Sequence, residues 1–113
     1  MSKSFSSLGE ALEAIVRFRD ERDWGQYHVP RHLVDALSIE ASELQEEFLW
    51  KEEEEVSEYL QSPEGKGRVR DEIADVLIYA LLLCESIGVN PLDAIRDKLG
   101  KNAEKYPVDN DEL

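Results

Sequence analysis

The sequence is poor in cysteine and in basic residues. It contains one cysteine, Cys84, so no disulfide can form within the chain, and we interpret this residue in its apolar run as a small core residue rather than a reactive thiol. Asp and Glu number 26 against 13 Lys and Arg, which gives a formal net charge of −13. Because nucleic acids and anionic membranes are bound through basic surfaces, this excess of acid predicts that neither is a partner.

Long apolar runs and several familiar site motifs are missing as well. No run approaches the roughly 20 apolar residues of a transmembrane helix, and the first residues contain no apolar signal region, so a cytoplasmic location is expected. The P-loop pattern Gly-x-x-x-x-Gly-Lys-Ser/Thr is absent, which argues against an ATP-driven motor or a common kinase. The two histidines, His28 and His32, do not stand in the Glu-x-x-His pattern that a ferritin-like di-iron site needs.

The periodicity of the apolar residues predicts an all-α, four-helix bundle that forms a single domain over residues 1–113. Flexible tails are expected at 1–6 and 108–113. The four main helices are expected at about 8–23, 30–51, 68–86 and 91–105. A short helix is allowed within 51–61, and loops are expected at 24–30 and 62–67 because of their glycine and proline. On the first helix, the charged residues, including Arg19, are expected to face solvent.

Two acidic pairs interrupt apolar helical segments. Glu40 and Glu43 lie three residues apart in the second helix, and Glu72 and Asp75 have the same spacing in the third. A carboxylate on the buried face of a helix is costly unless something neutralises it, so four of them on two helices predict a shared divalent cation. Hard oxygen ligands favour Mg²⁺, with Mn²⁺ as its substitute. The alternative is a solvated acidic face, the usual location of acidic runs.

Such a site suits the hydrolysis of a nucleoside triphosphate, because Mg²⁺ can neutralise the phosphates and acidify an attacking water. Glu47 lies beside the acidic pairs and is the candidate general base, with Glu46 as the alternative. Lys98 and Lys105 share a face of the last helix with Asn102. They are candidate contacts to the outer phosphates, unless this face is simply solvated.

The loop before the second helix is rich in aromatic rings. Trp24 and His28 are candidate stacking residues for a flat ligand such as a nucleobase. Alternatively, Trp24 closes the end of the helical bundle. The third helix is apolar nearly all round, which one short chain can hardly cover. This predicts a helical homodimer core, or a homotetramer.

These stretches together resemble the MazG-like all-α nucleotide pyrophosphohydrolases, and within them the dCTP pyrophosphatase branch. The resemblance extends from about Phe18 to Pro107. It is carried by four stretches of the sequence, which are residues 21–31, 40–50, 71–79 and 98–107.

The resemblance implies cleavage between the α and β phosphates, which yields a nucleoside monophosphate and pyrophosphate. It implies that Glu40, Glu43, Glu72 and Asp75 bind Mg²⁺ and that Lys98 and Lys105 contact phosphate. The residues that match positions around the base and sugar are Trp24, Trp50, Tyr79, Asn102 and Tyr106. Family members assemble as dimers or dimers of dimers. Many relatives carry Glu-Glu-x-x-Glu where this chain has Ile39 before Glu40, which leaves the number of metal ions open.

Three hypotheses for the function follow. The first is Mg²⁺-dependent conversion of dCTP, or 5-modified dCTP, to dCMP and pyrophosphate, as a house-cleaning activity on the nucleotide pool. The second is a broader MazG-like hydrolase that prefers dUTP or damaged purine nucleotides. The third is a non-enzymatic helical binding module whose acidic residues merely bind Mg²⁺.

Overall fold

Residues 4–108 are described by a computed structural model, and they fold into helices without any strand. The helices are α1 (Leu8–Glu21), α2 (Pro30–Glu46), α3 (Glu53–Gln61), α4 (Pro63–Ile87) and α5 (Pro91–Lys105), and a 3₁₀ turn at Trp24–Tyr27 separates α1 from α2. The all-α prediction is confirmed, and α3 lies where a short helix was allowed. Of the predicted flexible tails, residues 1–3 and 109–113 lie outside the described residues.

Local side-chain chemistry fixes the ends of several helices. Ser7 caps α1, since its hydroxyl accepts a hydrogen bond from the N–H of Glu10 at 3.1 Å. Asn90 caps α5 in the same way, with the N–H of Asp93 donating to its side chain at 3.0 Å. Gly88 ends α4 in a left-handed conformation, with φ at 73°, which a glycine adopts without steric cost.

The start of α4 differs from the prediction. The prediction of a loop at 62–67 is wrong, because α4 begins at Pro63. The Ser62 hydroxyl accepts from the N–H of Gly65 at 3.0 Å and donates to the carbonyl of Tyr59 at 2.8 Å. A capping serine followed by proline in the first turn favours a helix start more than two nearby glycines oppose it.

The end of α2 also differs from the prediction. The helix ends at Glu46 rather than at about residue 51. Several N–H groups after Glu46 donate to carbonyls three residues earlier in the chain, and Trp50 has a left-handed φ of 64°. This turn redirects the chain, so that α3 packs on α4.

The long helix α4 is the element on which the others pack. Its most extensive contact is with α2, and α1 and α3 also pack on it, whereas α5 makes only light contacts. The best-buried apolar side chains are Leu33, Val69, Leu81 and Leu82. Among the described residues, none of the helices combines the length and the apolar character that spanning a bilayer requires.

Much apolar surface is left exposed by a single chain. On α4, Leu77 is 56% exposed, and on α5, Leu99 is 62% exposed. The radius of gyration is 17.7 Å. A compact chain of this length has a radius of about 13 Å. The described residues therefore form an extended protomer with incomplete burial of its apolar side chains.

The close approach of α3 to α4 requires glycine at position 65. A Cβ built on Gly65 would lie 2.6 Å from Cδ1 of Tyr59, whereas one built on Gly67, in the same helix, meets nothing within 4 Å. We predict that Gly65→Ala lowers the free energy of unfolding by about 1–3 kcal/mol. Gly67→Ala is the matched control and should stabilise the helix by up to about 1 kcal/mol. Urea unfolding measures both, and equal stabilisation by the two substitutions would contradict the close approach.

Candidate functional site

Carboxylates from α2 and α4 converge where these helices pack. Glu40 and Glu43 lie on one face of α2 because they are three residues apart. Glu72 reaches them from α4, and one oxygen of each of the three side chains lies within 4.8 Å of the others. Asp75, one turn after Glu72, is close enough to Glu40 to affect its ionisation. The structure thus brings three of the four residues predicted to bind the cation into one cluster, and Asp75 lies near enough to act on Glu40.

The carboxylates of the cluster repel one another. Burial raises the pKa of Glu40, and the charges of Glu43, Asp75 and Glu72 raise it further. Burial also raises the pKa of Glu72, with Glu43, Asp75 and Glu47 adding to the effect. Among residues 4–108, no Lys or Arg forms an ion pair with any of these carboxylates. The cluster therefore lacks a positive partner of its own.

A divalent cation fits these residues. The Oε1 atom of Glu72 is buried and has no hydrogen-bond partner among the described residues. Leaving such an oxygen unpaired is costly, whereas coordination to a cation would satisfy it. Two oxygens on opposite sides of one Mg²⁺ are about 4 Å apart, close to the spread seen here. The donor set contains oxygen only, which hard cations prefer.

Glu47 follows the acidic pair of α2 and acts electrostatically on the cluster. It is half-buried, and its charge contributes to the raised pKa of Glu72. Its carboxylate accepts a hydrogen bond from the hydroxyl of Tyr59. Glu46, the alternative general base, is exposed at the end of α2. Of the two candidate bases, Glu47 is therefore the one that is half-buried and whose charge acts on the cluster.

A cavity of about 500 Å³ opens beside Asp75. Its wall is formed by α1, by the turn between α1 and α2, and by α4. The aromatic and polar residues that line it are Phe18, Arg19, Trp24, His28, Asp75 and Tyr79. The rings meet edge to face, with centroids 5.8 Å apart for Phe18 and Trp24 and 6.5 Å apart for His28 and Tyr79. A mostly apolar cavity of this volume, with a few polar groups, suits a ligand of nucleotide size.

His28, which lines this cavity, also carries a buried polar atom. Its Nδ1 is buried and lacks a hydrogen-bond partner among the described residues. Burial lowers the pKa of His28, and the positive charge of Arg19 lowers it further, so the ring is neutral at neutral pH. A neutral imidazole can either donate or accept at Nδ1, according to its tautomer.

The prediction that Arg19 faces solvent is wrong. Its side chain is only 15% exposed, and its guanidinium pairs with Glu85 at 2.7 Å and Asp20 at 2.9 Å. The signal was available in the sequence, because Arg19 follows Ile15 by four residues and so shares its face of α1. Sequence reasoning missed Arg19 because it treated a run of charged residues as uniformly solvated.

Five predicted substrate-binding residues lie away from the cavity in this chain. Their positions are on or near α5, or in the turn after α2, and they are Trp50, Lys98, Asn102, Lys105 and Tyr106. Trp50 is 94% exposed and Tyr106 is 68% exposed. Lys98 borders a shallow hollow of α5 with Ala94, Ile95 and Leu99.

The chain is similar to known proteins both in sequence and in fold. The MazG-like family model matches residues 36–113. The chain is 40% identical over 108 residues to dCTP pyrophosphatase 1 of Bos taurus, and 39% identical over 91 residues to that of Homo sapiens. The crystal structure of a pyrophosphatase from Archaeoglobus fulgidus superposes with a TM-score of 0.83 at 41% identity, covering 96% of this chain and 99% of that one.

The mammalian relatives are longer than this chain. The alignments cover 93% and 80% of the chain, but only 64% of the bovine protein and 54% of the human one. The match includes the acidic residues of α2 and α4, which lie within the segment of the family model.

The raised pKa values of Glu40 and Glu72 predict how pH affects stability. A raised pKa means that the folded state binds protons more tightly than the unfolded chain. Without divalent cations, the stability that these groups contribute should therefore be lost as pH rises. The loss begins near about 4.3, the ordinary pKa of glutamate, and continues through the raised pKa values of Glu40 and Glu72. A divalent cation should offset this loss because it neutralises the cluster.

Urea unfolding in EDTA, from about pH 4 to about pH 8, measures this effect. Glu72→Gln should lose less stability than the wild type as pH rises, and it should gain less from added Mg²⁺. Glu54→Gln, at an exposed position of α3, is the matched control and should follow the wild type. Identical pH profiles for the wild type and Glu72→Gln would contradict the repulsion described above.

Proposed function

This chain belongs to the MazG-like family, and from that premise we propose that it is a nucleoside triphosphate pyrophosphohydrolase. The proposed reaction converts dCTP, or modified dCTP, and water to dCMP and pyrophosphate. The observation that carries the proposal is the convergence of Glu40, Glu43 and Glu72 within 4.8 Å beside a cavity of about 500 Å³. Similarity to proteins named dCTP pyrophosphatase 1 supports the choice of a cytosine nucleotide.

The carboxylate cluster is the proposed Mg²⁺ site, with Glu40, Glu43, Glu72 and Asp75 as ligands and Mn²⁺ as a substitute metal. When bound, the cation would neutralise negative charge on the triphosphate and make a nearby water more acidic. Glu47 is the proposed general base for that water, because its charge acts on Glu72 and it is less exposed than Glu46. The chain itself carries a net charge of −13, so a triphosphate needs this local positive charge to approach.

The cavity is the proposed site of the base and sugar. Trp24 and Tyr79 supply aromatic surfaces for stacking, and the ring of His28 supplies a polar group in the cavity wall. Base stacking alone does not distinguish nucleobases, so a comparison of nucleotides is the direct test of specificity.

A homodimer or homotetramer is part of the proposal. The exposed leucines of α4 and α5 and the radius of gyration of 17.7 Å support a second copy that covers the apolar face. In such an assembly, Trp50, Asn102 and Tyr106 could approach the cavity of a neighbouring copy. Lys98 and Lys105 are proposed to contact the phosphates, as their positions along one face of α5 allow.

The proposed activity predicts pyrophosphate release in the presence of Mg²⁺. Across a panel of dNTPs and NTPs, dCTP should give the highest kcat/KM, with dCMP and pyrophosphate as the first products. Glu72→Gln should lower kcat/KM by at least about 100-fold, because the cation contributes several kcal/mol to the transition state.

Glu54→Gln is the matched control, since it removes an exposed carboxylate outside the cluster, and its activity should equal that of the wild type. Preference for dUTP or for purine nucleotides would favour a broader house-cleaning hydrolase. Binding of Mg²⁺ without turnover of any nucleotide would favour a binding module. Orthophosphate as the first product would overturn the proposed cleavage position.

The proposed assembly predicts a mass above 13.0 kDa, the mass of one chain, in size exclusion with light scattering. Leu77→Asp should shift the mass toward the monomer, because a charge in an apolar interface is costly to desolvate. Val108→Asp is the control, since Val108 is 81% exposed and lies outside the helices. A wild type that is monomeric at micromolar concentration would contradict the assembly.

A further inference from the structure

Helix α3 makes a specific contact with the proposed general base. The hydroxyl of Tyr59, near the end of α3, donates a hydrogen bond to the carboxylate of Glu47. Glu47 lies just beyond the last residue of α2, in the turn that leads to α3. A long side chain at such a position has rotamer freedom to lose, and the contact with Tyr59 limits that freedom.

The position of Tyr59 is itself fixed from several sides. Gly65 lets the ring lie against α4, where a Cβ would meet it at 2.6 Å. The backbone carbonyl of Tyr59 accepts a hydrogen bond from the Ser62 hydroxyl at 2.8 Å. The ammonium of Lys51 lies 4.4 Å from the centre of the ring and donates to the backbone carbonyl of Glu47 at 2.8 Å. Tyr59 and Glu47 are therefore held in one rigid unit.

This unit lies close enough to the carboxylate cluster to act on Glu72. The charge of Glu47 is one of the causes that raise the pKa of Glu72. The hydrogen bond with Tyr59 occupies one oxygen of Glu47 and leaves the second available to another partner. The same hydrogen bond is the main reason that the pKa of Tyr59 is raised, so the hydroxyl remains a donor throughout the neutral range.

We propose that Tyr59 is a positioning residue that orients the Glu47 carboxylate toward the cluster formed by Glu40, Glu43 and Glu72. The inference rests on the proposed function, in which Glu47 takes the proton of the attacking water. A general base acts only within hydrogen-bond reach of its proton, so its orientation controls the rate of the chemical step rather than the binding of the nucleotide. In this role, α3 helps to fix the orientation of Glu47 through Tyr59.

Tyr59→Phe tests the proposal, because it removes the hydroxyl and keeps the ring that packs against Gly65. We expect kcat for dCTP to fall about 10-fold, with KM within about two-fold of the wild type. Glu47→Gln should lower kcat at least as much. The double variant should be no slower than Glu47→Gln alone, because Tyr59 acts only through Glu47.

Ser57→Ala is the control, since it deletes a hydroxyl from an exposed position of the same helix. Its kcat should equal that of the wild type, and all rates are compared well below the Tm of every variant. Multiplicative effects of Tyr59→Phe and Glu47→Gln in the double variant would overturn the proposal, as would an unchanged kcat in Tyr59→Phe.

A readout without turnover separates this inference from the proposed function. In crystal structures of the wild type and Tyr59→Phe, the Glu47 carboxylate should move away from Glu72 in the variant. An unchanged Glu47 would overturn the positioning role, whatever the activity. A wild type that turns over no nucleotide would overturn the proposed function, and the crystal structures would still decide whether Tyr59 orients Glu47.

Discussion

Like charges held at short range are the constraint on which this structure depends. The packing of α2 on α4 brings oxygens of Glu40, Glu43 and Glu72 within 4.8 Å of one another, and one oxygen of Glu72 is buried without a partner. A fold selected for stability alone would have apolar residues at these positions, because each buried carboxylate costs free energy. A bound divalent cation would offset this cost at neutral pH, and binding and stability would then be linked through the same helix pair.

The remaining parts of the site are arranged around that helix pair. Helix α1 and the turn after it complete the cavity beside Asp75, where Trp24 and His28 face Tyr79 of α4. Helix α3 contacts Glu47 through the hydroxyl of Tyr59. Helix α5 packs only lightly on the rest and exposes its leucines, which leaves the surface of one chain incomplete. A second copy over this face would explain both the exposed leucines and the distance of Trp50 from the cavity.

The sequence allowed the helices and the acidic cluster to be predicted because both depend on short-range periodicity. Glu40 interrupts an apolar line with a spacing that is visible in the sequence itself. The start of α4 was missed because glycines outweighed the capping signal of Ser62 and Pro63. The ion pair of Arg19 with Glu85 and the Tyr59–Glu47 hydrogen bond depend on contacts between segments far apart in the chain or across a turn, which periodicity does not encode. The positions of Lys98 and Tyr106 relative to the cavity depend on how α5 packs, for which the sequence carries no local signal.

The most direct test of the central claim is the anomalous scattering of Mn²⁺ in crystals of the protein. The account predicts a strong peak at bonding distance from oxygens of Glu40, Glu43 and Glu72, and loss of that peak in Glu72→Gln. A peak elsewhere, or carboxylates that point apart with no metal between α2 and α4, would contradict it.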